Sequence, residues 1–140
     1  QADTVGAVAI DRHGALCAGG STGGVLLQDP GRVGDCPLVG AGLFASAALG
    51  AACATGVGEA ILTHVASYAA LTEAARAPTP EHAVAEVCAR VAATPIAQGT
   101  ATCGIILIDP HGQVAVAHHS PHMSWAIARG TDAVEAGLQR

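Results

Sequence analysis

The strongest constraint on this chain is a turn that it contains twice. The apolar run Val5-Gly6-Ala7-Val8-Ala9-Ile10 stops at Asp11-Arg12-His13-Gly14 and resumes as Ala15-Leu16-Cys17-Ala18. Near the other end, Cys103-Gly104-Ile105-Ile106-Leu107-Ile108 stops at Asp109-Pro110-His111-Gly112 and resumes as Gln113-Val114-Ala115-Val116-Ala117. A glycine in the last turn position can take positive φ, so each block predicts an antiparallel hairpin. In both, the leading strand is apolar throughout rather than alternating, which predicts sheets covered on both faces.

Between the hairpins lie two helical stretches. The first covers residues 58–76, with Ile61, Leu62, Val65, Ala69 and Thr72 near one face. The second has a clear start: Thr79 can cap, Pro80 suits the first helical position, and Glu81 complements the helix dipole. Val84, Val87, Cys88 and Val91 then recur at helical spacing, and Gln98-Gly99-Thr100 marks the exit. The predicted order is β-β, a long glycine-rich loop, α-α, β-β, hence a layered α+β domain spanning residues 1–140. Two hairpins make a small sheet, so a segment from a partner is expected to complete it. The loop over residues 19–58 is too long for a plain connector, which points to function.

Composition narrows the partners. The six basic residues are scattered arginines and the net charge is −5, so no basic stripe follows a nucleic-acid backbone. No apolar run approaches the roughly 20 residues that span a bilayer. Hydrophobic residues make up 51% and charged residues only 12%, a balance that suits burial against another chain. Five widely spaced cysteines without a CxxC pair fit reduced thiols better than disulfides or zinc, and favour a cytoplasmic setting.

Four segments carry the chemistry: Asp3-Thr4-Val5-Gly6-Ala7-Val8, Ser21-Thr22-Gly23-Gly24, Pro30-Gly31-Arg32-Val33-Gly34-Asp35-Cys36-Pro37, and Ala54-Thr55-Gly56-Val57-Gly58-Glu59. Each alone is a weak signal. In this order and spacing they resemble the β subunit of the plant-type asparaginases and isoaspartyl peptidases. Glycosylasparaginases share the set, and taspase is a more distant relative. The resemblance is strong from Asp3 to Glu59 and becomes a general pattern beyond it.

It implies a four-layer αββα sandwich of the N-terminal-nucleophile hydrolase type, with this chain as the β-subunit half and residues 1–3 as a remnant before the nucleophile. It also implies cleavage of the Asp3–Thr4 bond by the protein itself. A threonine hydroxyl is a poor nucleophile near neutral pH unless something takes its proton. Once freed, the Thr4 α-amine, with an ordinary pKa of about 8, can do so.

By the same resemblance Thr22 bonds the nucleophile, and Arg32 and Asp35 hold the α-carboxylate and α-ammonium of an aspartyl or asparaginyl unit. A guanidinium fork and a carboxylate suit those charges. The taspase branch departs at Asp35, so its presence favours a small zwitterionic substrate. Cys36 replaces a serine or threonine common in the family. Thr55 supplies a hydroxyl and Gly56 a backbone N–H to the oxyanion, and Gly58 a carbonyl to the substrate ammonium.

No cofactor is required. Relatives bind sodium or potassium structurally, and this chain shows no ligand set of its own, which leaves such a site to the α half. The expected partner is an α subunit from the same precursor, in an (αβ)2 assembly. Glycosylasparaginase activity remains as an alternative, because that enzyme shares all these residues, and so does an unprocessed, non-catalytic relative, because Gln1-Ala2-Asp3 still precede Thr4.

His118, His119 and His122 crowd one stretch, yet adjacent strand residues point to opposite faces. A loop bordering the pocket is the better reading than a metal site. Relatives carry an Asn-Thr-x-Gly-Met type loop here; Met123 fits and His122 replaces the glycine.

Overall fold

The computed structural model describes residues 4–97 and 99–139, so Asp3 and Gln98 lie outside the described residues. The elements run β1 (Thr4–Ile10), β2 (Leu16–Thr22), β3 (Leu43–Ser46), β4 (Gly50–Gly56), α1 (Gly58–His64), α2 (Ala66–Ala74), α3 (Pro80–Ala92), β5 (Cys103–Ile108), β6 (Val114–His118), β7 (Met123–Ile127) and β8 (Glu135–Gln139).

Both repeated turns form hairpins, and they are chemically the same turn. Asp11 Oδ1 accepts from the backbone N–H groups of His13 (2.7 Å) and Ala15 (2.8 Å). Asp109 Oδ1 does the same for His111 and Gln113, both at 2.8 Å. Gly14 and Gly112 each sit at φ 82°. An aspartate that ties down the turn and a glycine that takes the left-handed position explain why the motif recurs.

The two hairpins do not share a sheet. Among the described residues β1 and β2 pair only with each other, while β5 and β6 join a four-stranded antiparallel sheet ordered β3-β4-β5-β6. The β3–β4 hairpin lies inside residues 19–58, which corrects the expectation of one long loop there. β7 and β8 form a third, separate pair that the sequence reading did not anticipate.

Three layers result. α2 and α3 pack on one face of the four-stranded sheet, where Ala52, Ala54, Cys103, Ile105 and Leu107 meet Leu71, Val84, Val87 and Val91 in a single core. The β1–β2 hairpin packs on the other face. There Cys53 Sγ reaches the carbonyl oxygens of Ala7 (3.4 Å) and Gly19 (3.2 Å), which are cross-strand partners.

Close packing at this second interface depends on glycine. A Cβ on Gly6 would stand 2.9 Å from Cys53 Cβ. The covered-sheet expectation holds for β5, which is buried almost throughout. It is corrected for β1, where Val5 is 67% exposed because only one face is covered in this chain.

The helix expected over residues 58–76 is two helices. Val65 adopts the left-handed conformation (φ 48°, ψ 52°), which costs a β-branched residue about 1–2 kcal/mol. Carbonyls from another segment take over the first donors of α2: Tyr68 N–H donates to Gly40 O (2.9 Å), and Ser67 donates its N–H (3.1 Å) and hydroxyl (2.7 Å) to Ala41 O. α3 starts as its sequence predicts, with Thr79 accepting from His82 N–H at 3.3 Å. All five cysteines are free thiols, with Cys17 alone exposed. Among the described residues, no helix is long and apolar enough to cross a membrane.

Candidate active site

The pairing of β1 with β2 sets the first feature of the site. A turn centred on residues 12–14 makes Thr4 and Thr22 register partners at the open end of the hairpin. Their hydroxyls meet there, Thr4 Oγ1 lying 3.0 Å from Thr22 Oγ1 and donating to it. Thr22 Oγ1 also accepts from Gly24 N–H (3.1 Å), which ties the pair to the loop that follows.

The second feature comes from the other sheet. β4 ends at Thr55 and Gly56, beside Gly104 and Cys103 of β5. Gly56 has φ 139°, and a Cβ there would stand 2.7 Å from the Thr102 carbonyl carbon and closer still to its oxygen. Only glycine fits. The obstacle to any side chain is the chain's own backbone. Met123 lies over Gly104, against which Thr55 Cγ2 also packs.

The third feature is a charged cluster at the start of α1. Arg32 donates from Nε to Glu59 Oε1 (2.8 Å), from Nη2 to Glu59 Oε2 (3.0 Å) and from Nη1 to Gln28 Oε1 (3.0 Å). Arg32 thus pairs with Glu59 rather than with Asp35, three residues along the chain. Gly58 lets the cluster close: a Cβ there would stand 2.9 Å from Arg32 Nη2 and 3.0 Å from Asp35 Oδ1.

The charges answer to this geometry. The hydrogen bond to Glu59 raises the Arg32 pKa, and the same contact lowers that of Glu59. Burial raises the Asp35 carboxyl, against the pull of backbone N–H groups and of Arg32. Asp35 is 8% exposed, and its Oδ2 has no hydrogen-bond partner among the described residues. A buried carboxylate oxygen left open in this way is a receptor for a cation or an N–H donor. Burial likewise raises the Cys36 and Cys53 thiols, which keeps them protonated and unreactive.

Thr4, Thr22, Arg32, Asp35, Thr55, Gly56 and Gly58 all line one cleft of about 890 Å³. Asp3, the residue on the other side of the expected cleavage bond, lies outside the described residues. Ser120, His122 and Met123 line the same cleft, whereas His118 turns its Nδ1 to the Ser120 carbonyl (3.0 Å) and hydroxyl (3.1 Å). Among the described residues, no three His, Cys, Asp or Glu side chains converge to hold a metal ion.

Two residues of the cluster carried no role in the sequence reading. Glu59 stood at the end of a motif that had been singled out, but Gln28 had no signal: its part depends on the loop's fold.

This cleft brings hydroxyls, a buried carboxylate and a guanidinium together. The family model described as asparaginase matches residues 1–138. The chain is 43% identical over 137 residues to a plant-type L-asparaginase of Pyrococcus furiosus, covering 96% of this chain and 43% of that protein. It is 40% identical over 139 residues to an isoaspartyl peptidase of Salmonella typhimurium, covering 98% and 43%. An isoaspartyl peptidase/L-asparaginase of Danio rerio is 38% identical over 126 residues, covering 90% and 39%. The chain thus spans about two fifths of the length of these curated relatives.

Proposed function

The chain belongs to the asparaginase family, and from that premise we propose that it is the nucleophile-bearing part of an amidohydrolase acting on asparagine or β-aspartyl peptides. The carrying observation is the 3.0 Å contact between Thr4 Oγ1 and Thr22 Oγ1, in the same cleft as Arg32 and Asp35.

In this reading the Thr4 hydroxyl first attacks the carbonyl of Asp3; the Asp3–Thr4 C–N bond breaks as the ester forms, which frees the Thr4 amine, and water then hydrolyses the ester to release the Asp3 carboxylate and restore the hydroxyl. The amine then takes the hydroxyl proton when Thr4 attacks the side-chain carbonyl of substrate. Thr22 orients the hydroxyl through the hairpin register. Arg32 receives the substrate carboxylate, and the open Oδ2 of Asp35 receives its ammonium together with the Gly58 carbonyl. Negative charge on the attacked oxygen is met by the Thr55 hydroxyl and the Gly56 N–H. Departure of ammonia or an amine leaves an acyl ester on Thr4, which water cleaves to release aspartate.

The whole enzyme in this proposal includes an α half that adds a fourth, helical layer over the exposed face of β1–β2, and it assembles as (αβ)2. The exposure of Val5 (67%) on that hairpin and of Leu26 and Leu27 (76% and 92%) near the cleft supports such a cover. Any structural sodium or potassium belongs to that half.

The test is Thr4→Ala in the full-length precursor, read by intact mass for cleavage and by release of aspartate from L-asparagine and a β-aspartyl dipeptide. Both activities are expected to vanish. Retention of either at the wild-type rate overturns the assignment of Thr4.

A further inference from the structure

The cluster around Arg32 holds more than the proposed reaction uses. A guanidinium has five N–H donors in a rigid plane. Three are spent on the protein: Nε–H and one Nη2–H on the two oxygens of Glu59, and one Nη1–H on Gln28 Oε1. One proton remains on each terminal nitrogen. Glu59 thereby occupies the side-on edge of the fork in bidentate fashion, and Gln28 grips it from the other side. Those two remaining N–H groups, on neighbouring nitrogens, are donors suited to a second carboxylate.

Gln28 is itself held. Its Nε2 donates to the Arg32 carbonyl (2.8 Å), and its Oε1 accepts from Val25 N–H (3.2 Å) as well as from Arg32. Gly24, at φ 81°, leaves the space: a Cβ there would stand 3.1 Å from Gln28 Cδ and closer still to Oε1. Gly24 N–H in turn donates to Thr22 Oγ1, the partner of Thr4. One continuous set of hydrogen bonds therefore connects the nucleophile's hydroxyl to the loop that carries Gln28 and Arg32.

Ordinary surface stabilisation does not account for this arrangement. Glu59 is 62% exposed along its side chain, and an ion pair so placed adds little to folding. An unpaired Arg32 side chain would sample many rotamers across the cleft, at a cost to every ligand that needs it in one. We propose that Gln28 and Glu59 are positioning residues. They clamp Arg32 from two sides and leave one N–H on each of its terminal nitrogens for the substrate carboxylate. The proposal rests on the amidohydrolase reading of the same cleft.

Its test separates carboxylate recognition from chemistry. Glu59→Gln and Gln28→Ala are compared with wild type in the mature, full-length enzyme. The substrates are L-asparagine and 3-aminopropanamide, which keeps the amine and the amide but lacks the α-carboxylate. Either substitution is expected to raise KM for L-asparagine about tenfold with kcat within about twofold, and to leave kcat/KM for 3-aminopropanamide unchanged. Equal losses on both substrates, or an unchanged KM for L-asparagine, overturn the clamp.

Gln28 is exposed, so Gln28→Ala reads the same effect should Glu59→Gln not accumulate as folded protein. A wild-type enzyme that turns over neither substrate defeats the amidohydrolase reading instead. The clamp is then read by calorimetric titration of L-aspartate. Binding about tenfold weaker in either variant supports the clamp, and unchanged binding overturns it.

Discussion

Gly56→Ala tests how the oxyanion end of the cleft is built. Two costs add. At φ 139° the backbone is in a region that residues with a side chain avoid, at about 1–3 kcal/mol. The new Cβ would also stand 2.7 Å from the carbonyl carbon of Thr102 and 3.0 Å from Cys103 Cα. Both atoms are backbone, and Gly56 is the register partner of Cys103, so no rotamer change relieves the collision. Local opening of β4 from β5 is required, with an overpacking cost of about 1–3 kcal/mol.

The sum is about 2–6 kcal/mol. Gly112→Ala isolates the first part: φ is 82° and nothing lies within 4 Å of the added carbon, so about 1–2 kcal/mol is expected. Urea denaturation of the mature enzyme reads both, since a loss of about 4 kcal/mol moves the midpoint by roughly 2 M at a typical slope of about 2 kcal/mol/M. The shift also moves Thr55, and an ångström of misplacement costs about a hundredfold in turnover. A Gly56→Ala enzyme no less stable than Gly112→Ala, or one with intact kcat, refutes the reasoning.

Two further outcomes follow from the charges and the caps. Burial raises the Asp35 pKa, so the folded state favours its protonated form. Its contribution to stability is fully present below the ordinary carboxylate value and is lost as pH rises through the raised one. Ligand affinity runs the other way, because an ammonium needs the ionised form: L-aspartate binding should tighten as pH rises from about 4 towards 7, beyond any change in the ligand itself, and the trend should disappear in Asp35→Asn. Calorimetric titration checks it, and an unchanged pH profile in the variant counts against Asp35 as the ammonium receptor. Thr79→Ala should cost about 1 kcal/mol by uncapping α3, while Thr79→Ser costs little; equal denaturation midpoints for all three proteins refute the cap.

The parts of the fold that could be read from sequence are those whose cause is local. Asp11 and Gly14 make a turn with atoms from within it, as do Asp109 and Gly112, and Thr79 caps with its own hydroxyl. The Thr4–Thr22 contact was also accessible, because an antiparallel register through Gly14 brings those positions together. β4 was not. Gly50-Ala51-Ala52-Cys53-Ala54-Thr55-Gly56 holds no Val, Ile or aromatic residue, and alanine favours helices. It is a strand because it lies between two layers, with Ala51 and Ala52 wholly buried. The break at Val65 was hidden for a similar reason: the carbonyls that replace the helix's own bonds come from Gly40 and Ala41. Arg32 and Glu59 are 27 residues apart on segments that approach each other only after folding.

The alanine- and glycine-rich composition has a direct bearing on the chemistry. Thr4 belongs to the β1–β2 hairpin and Thr55 to the four-stranded sheet, so the proposed nucleophile and oxyanion donor stand on different layers. Stacked sheets usually sit about 10 Å apart because side chains fill the space between them. A single carbonyl group cannot bridge such a gap unless the strand ends converge. Here the sheets meet through Gly6 against Cys53 and Gly20 against Leu43 of β3, whose Cδ2 would stand 3.8 Å from an added Cβ. Cys53 anchors both strands of the hairpin through the carbonyls of Ala7 and Gly19. Larger inward side chains at these points would strengthen the core by area and separate the two threonines. The small residues that obscured β4 in the sequence are therefore what allows two sheets to serve one reacting carbon.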